Sequence, residues 1–82
     1  MRLDKYLKVS HIIKRRTVAK ETIDKDKIYL NGKLAKPSSN VNESDIIEIK
    51  YASKTLKIKV LSINEYTSKS DSSSMYEVIS NS

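Results

Sequence analysis

Four cationic side chains surround a small apolar segment in the sequence KRRTVAKE, which runs from Lys14 to Glu21. If this segment is helical, Arg16 and Lys20 lie about 40° apart on adjacent turns and project together. Neighbouring cations on a rigid helix can hold a polyanion such as a ribose-phosphate chain, and the planar fork of arginine binds phosphate oxygens in pairs. The same spacing also describes an ordinary solvated helix face, so the pattern alone leaves both interpretations open.

The residue inventory does not predict a catalytic site. The chain has no cysteine and a single histidine, His11, so neither a thiol nucleophile nor a Ser-His-Asp triad is expected. Its carboxylates are scattered and mostly lie beside lysines, which leaves no apolar pocket for a tuned acid-base pair. Glycine-rich phosphate-binding motifs are absent, and His11 has no further ligand at metal-site spacing. We therefore predict a protein that is not an enzyme and uses no cofactor or metal.

The positive charge is concentrated in one half of the chain. Residues 1–36 carry eleven Lys or Arg against four Asp or Glu, whereas residues 37–82 carry five against six. The net charge of +6 therefore comes from the N-terminal half, and charge confined in this way predicts an oriented surface. Nucleic acid, an anionic membrane and an acidic protein are the usual partners of such a surface.

Two short helices are predicted to position these cations. Residues 2–9 place their apolar side chains one turn apart, and Asp4 can pair with Lys8 four residues later. A second helix is predicted over residues 15–25, with Arg16 roughly opposite its apolar sector. The inward-facing sector of the second helix is predicted to consist of Val18, Ala19, Thr22 and Ile23.

Beyond Asp26 the apolar period changes to two, which predicts a small sheet. Asn31 and Gly32, the single glycine of the chain, form the turn of a first hairpin because both tolerate the positive φ angles that such a turn needs. A second hairpin turns at residues 52–53. Its predicted core residues are Ile47, Ile49, Leu56, Ile58 and Val60.

These elements predict one α+β domain in which two N-terminal helices pack on a small, mostly antiparallel sheet. We expect the domain to cover residues 1–66, the serine-rich segment 67–74 to be a flexible loop, and residues 75–82 to supply a last strand and tail. No apolar run approaches the roughly 18 to 20 residues of a membrane span, and no signal peptide is evident. The expected location is the cytoplasm.

Several segments together resemble a known RNA-binding family. In their order and spacing they are similar to the S-four RNA-binding domain, also called the alpha-L motif, and they lie between residues 2 and 49, a span of more than half of the chain. These segments are RLDKYL, RRTVAKETI, KIYLNGKLAKPSSNV and SDIIEI. The chain is also similar, over nearly its whole length, to the RqcP-like proteins, which are small stand-alone bacterial members of that family. That similarity is carried by MRLDKYLKVS, IKRRTVAKE and the late MYEVI.

The resemblance implies a role in bacterial ribosome-associated quality control. RqcP-like proteins bind a large ribosomal subunit obstructed by peptidyl-tRNA, where they contact the 23S rRNA and the tRNA. They work beside RqcH, a factor of the NEMF type, while alanine residues are added to the C-terminus of the stalled chain. By resemblance, this chain is a monomeric, non-catalytic RNA-binding factor whose partners are 23S rRNA, peptidyl-tRNA and RqcH, with no membrane partner.

The predicted RNA-binding residues are cations and one histidine of the N-terminal segment. Asp4 is interpreted as a structural residue that orients an arginine, and Tyr6 as a core residue. Arg2 has an alternative role in pairing with Asp4, and Arg15 in packing its aliphatic stem on the first helix. The predicted RNA-binding set is Arg2, Lys5, His11, Lys14, Arg15, Arg16 and Lys20.

Three positions depart from the family pattern. Asp26 and Ser44 stand where the family usually has glycine, so a left-handed backbone is expected at Asp26 at some cost in stability, and a different loop before Asp45. His11 stands where the RqcP-like proteins tend to have arginine. A histidine loses its charge near neutral pH, which weakens the expected phosphate contact there.

Two alternatives remain from the sequence. The first is the heat-shock S-four protein that recycles large subunits, although that protein usually carries a basic C-terminal extension and this sequence ends in EVISNS. The second, from another class, is a protein-interaction module whose basic face binds an acidic partner. Nuclease treatment before a pull-down separates the second alternative from RNA binding.

Overall fold

The computed structural model describes residues 1–63 and 75–81, and these residues contain two short helices and five strands. The predicted α+β class is confirmed. The segment 67–74, predicted to be a flexible loop, lies outside the described residues. The helices are α1, Leu3–Val9, and α2, Arg16–Asp24. The strands are β1 (Ile28–Leu30), β2 (Lys33–Leu34), β3 (Ile46–Lys50), β4 (Thr55–Val60) and β5 (Tyr76–Asn81).

The strands form one antiparallel sheet in the order β2-β1-β3-β4-β5. Asn31 and Gly32 have φ angles of 52° and 81°, the left-handed pair that a tight hairpin turn requires, so the predicted first hairpin is confirmed. β5 pairs with β4 and lies at one edge of the sheet, while β2 lies at the other. The last strand therefore extends an open sheet and does not close it.

The core lies between the helices and one face of the sheet. Alternation along β3 and β4 turns four of the five predicted core residues inward, and Leu56 packs partly buried against them. The four residues exposed by 1% or less are Ile47, Ile49, Ile58 and Val60.

Tyr6 connects α1 to the last strand. Its side chain is fully buried, as predicted, and its hydroxyl donates a hydrogen bond of 2.8 Å to the carbonyl oxygen of Met75. Burial raises the pKa of Tyr6, so the phenol keeps the proton that this hydrogen bond needs. Because its hydroxyl is used inside the protein, Tyr6 does not offer a surface for base stacking.

The buried face of α2 is narrower than predicted. Ala19 and Ile23 are buried, but Val18 is 44% exposed, so its predicted inward orientation was wrong. α2 packs mainly on the seven-residue α1, and so small a partner covers only the centre of the apolar sector. With the inward direction centred on Ala19 and Ile23, Arg16 and Lys20 lie beside the buried sector and not opposite it.

Two positions where glycine was expected adopt a left-handed backbone. Asp26 has a φ angle of 60°, as predicted, and its N–H donates to the carbonyl oxygen of Ile23 just beyond the end of α2. Ser44 has a φ angle of 73°, and its N–H donates to the carbonyl oxygen of Val60 at 2.8 Å. Both turns thus keep their backbone hydrogen bonds while a side chain occupies a conformation that favours glycine.

Candidate RNA interface

A buried carboxylate at the start of α1 holds the N-cap arginine of that helix and the first arginine of α2. Asp4 is only 2% exposed. The Nε and Nη2 atoms of Arg2 lie 3.2 and 3.4 Å from Oδ1 and Oδ2 of Asp4, and Nε of Arg16 lies 3.4 Å from Oδ2. The backbone N–H of Lys5 donates to Oδ1 at 2.8 Å. One carboxylate therefore fixes two guanidinium groups that are distant in sequence, and we call these three side chains the Asp4 cluster.

Asp4 keeps its charge despite its burial. Burial alone would raise the pKa of this carboxyl, but the N–H of Lys5 and the guanidinium groups of Arg16 and Arg2 outweigh that effect and hold the pKa below its ordinary value. The carboxylate is thus ionised at neutral pH. A buried anion with partners on two helices resists displacement, because moving either helix would leave part of its charge unpaired.

The beginning of α1 is held by a loop. Arg2 is the N-cap residue but provides no side-chain cap, and the N–H of Leu3 donates instead to the carbonyl oxygen of Ser39 at 2.8 Å. Arg2 also pairs with Asn40 in an isolated β-bridge. The loop between β2 and β3 therefore satisfies the first helical amide and fixes the backbone from which the Arg2 side chain projects.

α2 begins close to the same cluster with a free positive end. Arg15 is its N-cap residue, one position before the helical turn in which it was predicted, and no described side chain caps this end. The first turn contains no acidic residue. Unpaired amides and the helix dipole add positive partial charge at a helix N-terminus, where Arg15 and Arg16 already carry full charges. This end of α2 is therefore electrostatically suited to an anion.

Most of the predicted RNA-binding side chains are accessible to a partner. Lys5 is half-buried and the other six are exposed. Within the described ranges, no carboxylate lies at ion-pair distance from Lys14, Arg15 or Lys20. The six exposed members are Arg2, His11, Lys14, Arg15, Arg16 and Lys20.

The structure brings together Arg2 and Arg16 but separates them from His11. The arginine side chains remain 53% and 48% exposed, so each keeps donors that can reach a phosphate. His11 lies beyond the opposite end of α1, and the seven residues of that helix, about 10 Å along its axis, separate it from Arg2. It has a φ angle of 61°, and its N–H donates to the carbonyl oxygen of Lys8, so its evident role is to end the helix.

The sequence predicted that Asp4 orients an arginine, but it did not identify Arg16 as that arginine. The sequence offered Asp4 either Lys8 as a helical partner or an arginine to orient, and the second interpretation agrees with the structure. A helical wheel of α1 indicates that Asp4 can contact the neighbouring helix, because Asp4 lies only about 60° from Leu7, at the border of the apolar sector. A carboxylate at that border faces the neighbouring helix, which is where Arg16 lies.

The described residues contain no group of three or more histidine, aspartate or glutamate side chains that could hold a metal ion. A shallow depression on the outer face of the sheet is lined in part by Glu48 and Lys57, which lie 3.9 Å apart and neutralise each other. No described helix is long and apolar enough to cross a bilayer.

The sequence of the chain is similar to those of several known proteins. The family model of the S4 domain matches residues 1–47. The RQC P-site tRNA stabilizing factor of Streptococcus pneumoniae is 56% identical over 80 residues, which span 98% of this chain and 91% of that protein. The protein of the same name from Bacillus subtilis is 42% identical over 79 residues, spanning 96% and 92% of the two chains.

Two solved structures share the fold. The trimeric structure of Vibrio cholerae Heat Shock Protein 15 superposes with a TM-score of 0.87 at 25% identity, covering 95% of this chain and 80% of that one. The solution structure of the hypothetical protein HP1423 superposes with a TM-score of 0.83 at 27% identity, covering 98% of both chains. The two helices and five-stranded sheet are therefore a recurrent arrangement.

Proposed function

The chain belongs to the S4 domain family and, within it, groups with the RQC P-site tRNA stabilizing factors, and we propose that it is a non-catalytic RNA-binding factor of ribosome-associated quality control. In this proposal it binds the 23S rRNA and the P-site tRNA of a large subunit obstructed by peptidyl-tRNA. It acts as a monomer in the cytoplasm, beside RqcH, while alanine residues are added to the C-terminus of the stalled chain.

The Asp4 cluster is the observation that supports this proposal most directly. Structured RNA is recognised mainly by its shape, its phosphates and its 2′-hydroxyls, because the A-form major groove is too narrow for side chains. Such recognition needs donors at fixed positions. Two arginines locked by one buried carboxylate meet that need, and their exposed edges face outward with the uncapped end of α2.

The expected strength of binding follows from the number of phosphates contacted. If about four phosphates are neutralised, a fourfold rise in salt weakens binding roughly 100-fold, at about 0.7 to 0.9 logarithmic units per contact. One RNA is then held loosely. Selectivity for an obstructed subunit arises from contacting rRNA and tRNA at the same time, which makes the second contact intramolecular.

Sedimentation with purified large subunits tests the proposal. We expect the protein to pellet with subunits that carry peptidyl-tRNA and far less with empty ones, and Arg16→Gln to remove the difference. Lys59→Gln is a matched control, because it also removes one cation but lies on β4, opposite Glu77 of β5. Equal pelleting with empty and obstructed subunits would contradict the proposal. Co-purification that survives nuclease treatment would favour a basic module that binds an acidic protein.

The similarity to the heat-shock structure supports a second candidate, a factor that recycles obstructed large subunits. Both roles would use the same RNA-binding face. A reconstituted reaction with obstructed subunits and RqcH separates them. Stimulated alanine addition supports the first role, whereas release of peptidyl-tRNA without added alanine supports the second.

A further inference from the structure

The C-terminal half of the chain contains a lysine-rich stretch that its overall charge conceals. Residues 49–63 include four lysines and no Asp or Glu, although residues 37–82 as a whole have a net charge of −1. This stretch forms the end of β3, the following turn and β4. The near-neutral charge of residues 37–82 is therefore the sum of a basic hairpin and the acidic residues on either side of it.

Two of these lysines lie opposite glutamates in the sheet. Lys57 lies opposite Glu48 of β3, and its Nζ is 3.9 Å from Oε1 of that glutamate. Lys59 lies opposite Glu77 of β5. Directly opposed charges on neighbouring strands attract each other and reduce the field that a distant partner experiences. These two lysines therefore contribute little to any polyanion-binding surface.

The other two lysines, at the end of the hairpin, have no such partner. Lys50 lies opposite Thr55, and Lys54 belongs to the turn, where its carbonyl oxygen accepts the N–H of Tyr51 at 2.8 Å. The N–H of Lys50 donates to the carbonyl oxygen of Lys27 at 2.7 Å, which brings a third lysine alongside. None of the three forms an ion pair within the part of the chain that the structure describes.

Aromatic rings accompany these cations. The Nζ atom of Lys50 lies 4.6 Å from the centre of the Tyr29 ring, a cation–π contact that fixes the position of the amine. Tyr51, the next residue, is 46% exposed. Exposed rings beside cations bind single-stranded nucleic acid, because a base stacks on the ring while flanking phosphates pair with the amines. An acidic protein would use the lysines without needing the ring.

This surface is separate from the Asp4 cluster. Lys27 follows the C-terminal end of α2, whereas Arg16 begins that helix, and nine helical residues span about 13 Å. A single phosphate cannot contact both ends. Asp24 and Asp26 lie near Lys27 in sequence and dilute the local charge, but neither is ion-paired with a lysine in the described ranges.

We propose that Lys27, Lys50, Tyr51 and Lys54, the hairpin patch, form a second RNA-binding surface that takes an unpaired nucleotide and its neighbouring phosphates. Tyr51 stacks on the base, and the amines of Lys50 and Lys54 pair with the phosphates. The inference goes beyond the proposed function, because it assigns RNA binding to the sheet end of the domain and requires no particular ribosomal site.

The salt dependence of binding to a fluorescein-labelled uridine dodecamer tests the lysines. Fluorescence anisotropy between about 50 and 200 mM salt gives the slope of log K against log salt, at about 0.7 per phosphate for single strands. We expect the Lys50→Gln/Lys54→Gln variant to lower that slope by about 1.4, so that its affinity falls roughly sevenfold less than the wild type over this range. The Lys57→Gln/Lys59→Gln variant removes the same charge from the same hairpin and should keep the wild-type slope.

Substitution of Tyr51 tests the stacking. Tyr51→Ala should weaken binding of the dodecamer roughly tenfold, whereas Tyr51→Phe, which keeps the ring, should bind within about twofold of the wild type. Melting curves followed by circular dichroism should be similar for both variants, because the side chain is half-exposed. Equal losses in Tyr51→Ala and Tyr51→Phe would contradict a stacking role.

Two further results would overturn the inference. One is no measurable binding of the dodecamer by the wild-type protein, and the other is the same slope in both double-lysine variants. Hairpin-dependent binding of a polyglutamate peptide, with the dodecamer unaffected, would assign the surface to an acidic protein instead. The proposed function is tested separately, by the sedimentation of Arg16→Gln with obstructed subunits. A negative result for one proposal therefore does not decide the other.

Discussion

Replacing the buried carboxylate of Asp4 by an amide tests whether RNA binding depends on arginines held at fixed positions or only on a basic surface. Asp4→Asn keeps the size and shape of the side chain, and its amide oxygen can still accept the N–H of Lys5. The substitution removes the negative charge that holds Arg2 and Arg16. The net charge of the chain rises by one, from +6, so a model based on charge alone predicts tighter RNA binding.

The cost in stability follows from the three contacts. Losing charge assistance in the Lys5 hydrogen bond costs about 1 kcal/mol, and each half-exposed arginine pair adds about 0.5 kcal/mol. Relief from burying a charge offsets part of this sum, which leaves about 1 to 2 kcal/mol. For a domain of this size, the melting temperature should fall by about 4 to 16 °C.

The loss of stability in Asp4→Asn should be largest at neutral pH and should disappear in acid. The folded pKa of Asp4 is depressed, so its ionised form contributes stability above the unfolded pKa of about 3.9. That contribution is lost as the pH falls through the lower folded value. The melting temperatures of the wild type and Asp4→Asn should therefore differ at neutral pH and converge below about pH 4.

RNA binding should weaken although the charge becomes more positive. Fixing a flexible side chain on binding costs about 0.5 to 1.5 kcal/mol. In the wild type, the ion pairs with Asp4 order Arg2 and Arg16 before any RNA binds, so this cost does not weaken RNA binding. Without the carboxylate, both arginines must be ordered by the RNA, which weakens binding roughly 5- to 150-fold, with about 30-fold as the central expectation.

Sedimentation with obstructed large subunits, below the melting temperature of each variant, measures this effect. Asp24→Asn is the matched control, because it changes the charge equally at an exposed position at the far end of α2. It should bind as tightly as the wild type or slightly more tightly. If Asp4→Asn also bound as tightly as the wild type, Asp4 would not position the arginines for RNA, and the reasoning would be refuted.

Three further predictions follow from the helices and turns. Arg16→Ala should abolish association with large subunits while lowering the melting temperature by only about 2 to 8 °C, since the buried carboxylate keeps its other arginine. Ala19→Asp should unfold the domain, whereas Val18→Asp, at an exposed position, should change the free energy of unfolding by only about 0.5 kcal/mol, as circular dichroism melts will show. Asp26→Gly and Ser44→Gly should each stabilise the protein in urea unfolding by about 0.5 kcal/mol, because the relief of left-handed strain exceeds the entropy cost of glycine.

Local signals predicted most of the fold because they depend on few residues. Asn31 and Gly32 adopt the positive φ angles that their types permit, and the period of two along β3 and β4 turned Ile47 and Ile58 inward. Asp26 follows the end of α2, and its residue type tolerates the left-handed conformation that it adopts there. Each of these features is determined within about one helical turn or one hairpin.

Sequence patterns failed where burial or charge depends on a neighbour in space. Periodicity placed Val18 in the apolar sector of α2, but the small facing helix leaves it exposed. Counting charge by halves hid Lys50 and Lys54, since the register decides which lysine of the hairpin meets a glutamate. The left-handed backbone of His11 was not predicted, although histidine is among the residue types that are enriched at positive φ angles.

The Asp4 cluster shows why part of this candidate site could not be derived from its own segment. Helical spacing offered Asp4 a partner on α1, but the carboxylate faces Arg16 because α2 packs there. The backbone N–H of Asp4 donates to the carbonyl oxygen of Pro37, so the loop after β2 also fixes the cluster. The packing of α2 on α1, together with this loop, therefore sets the position of Arg16 relative to Arg2. By contrast, Lys20 needs only its own helix to be exposed, so its exposure was predictable although its neighbours in space were not.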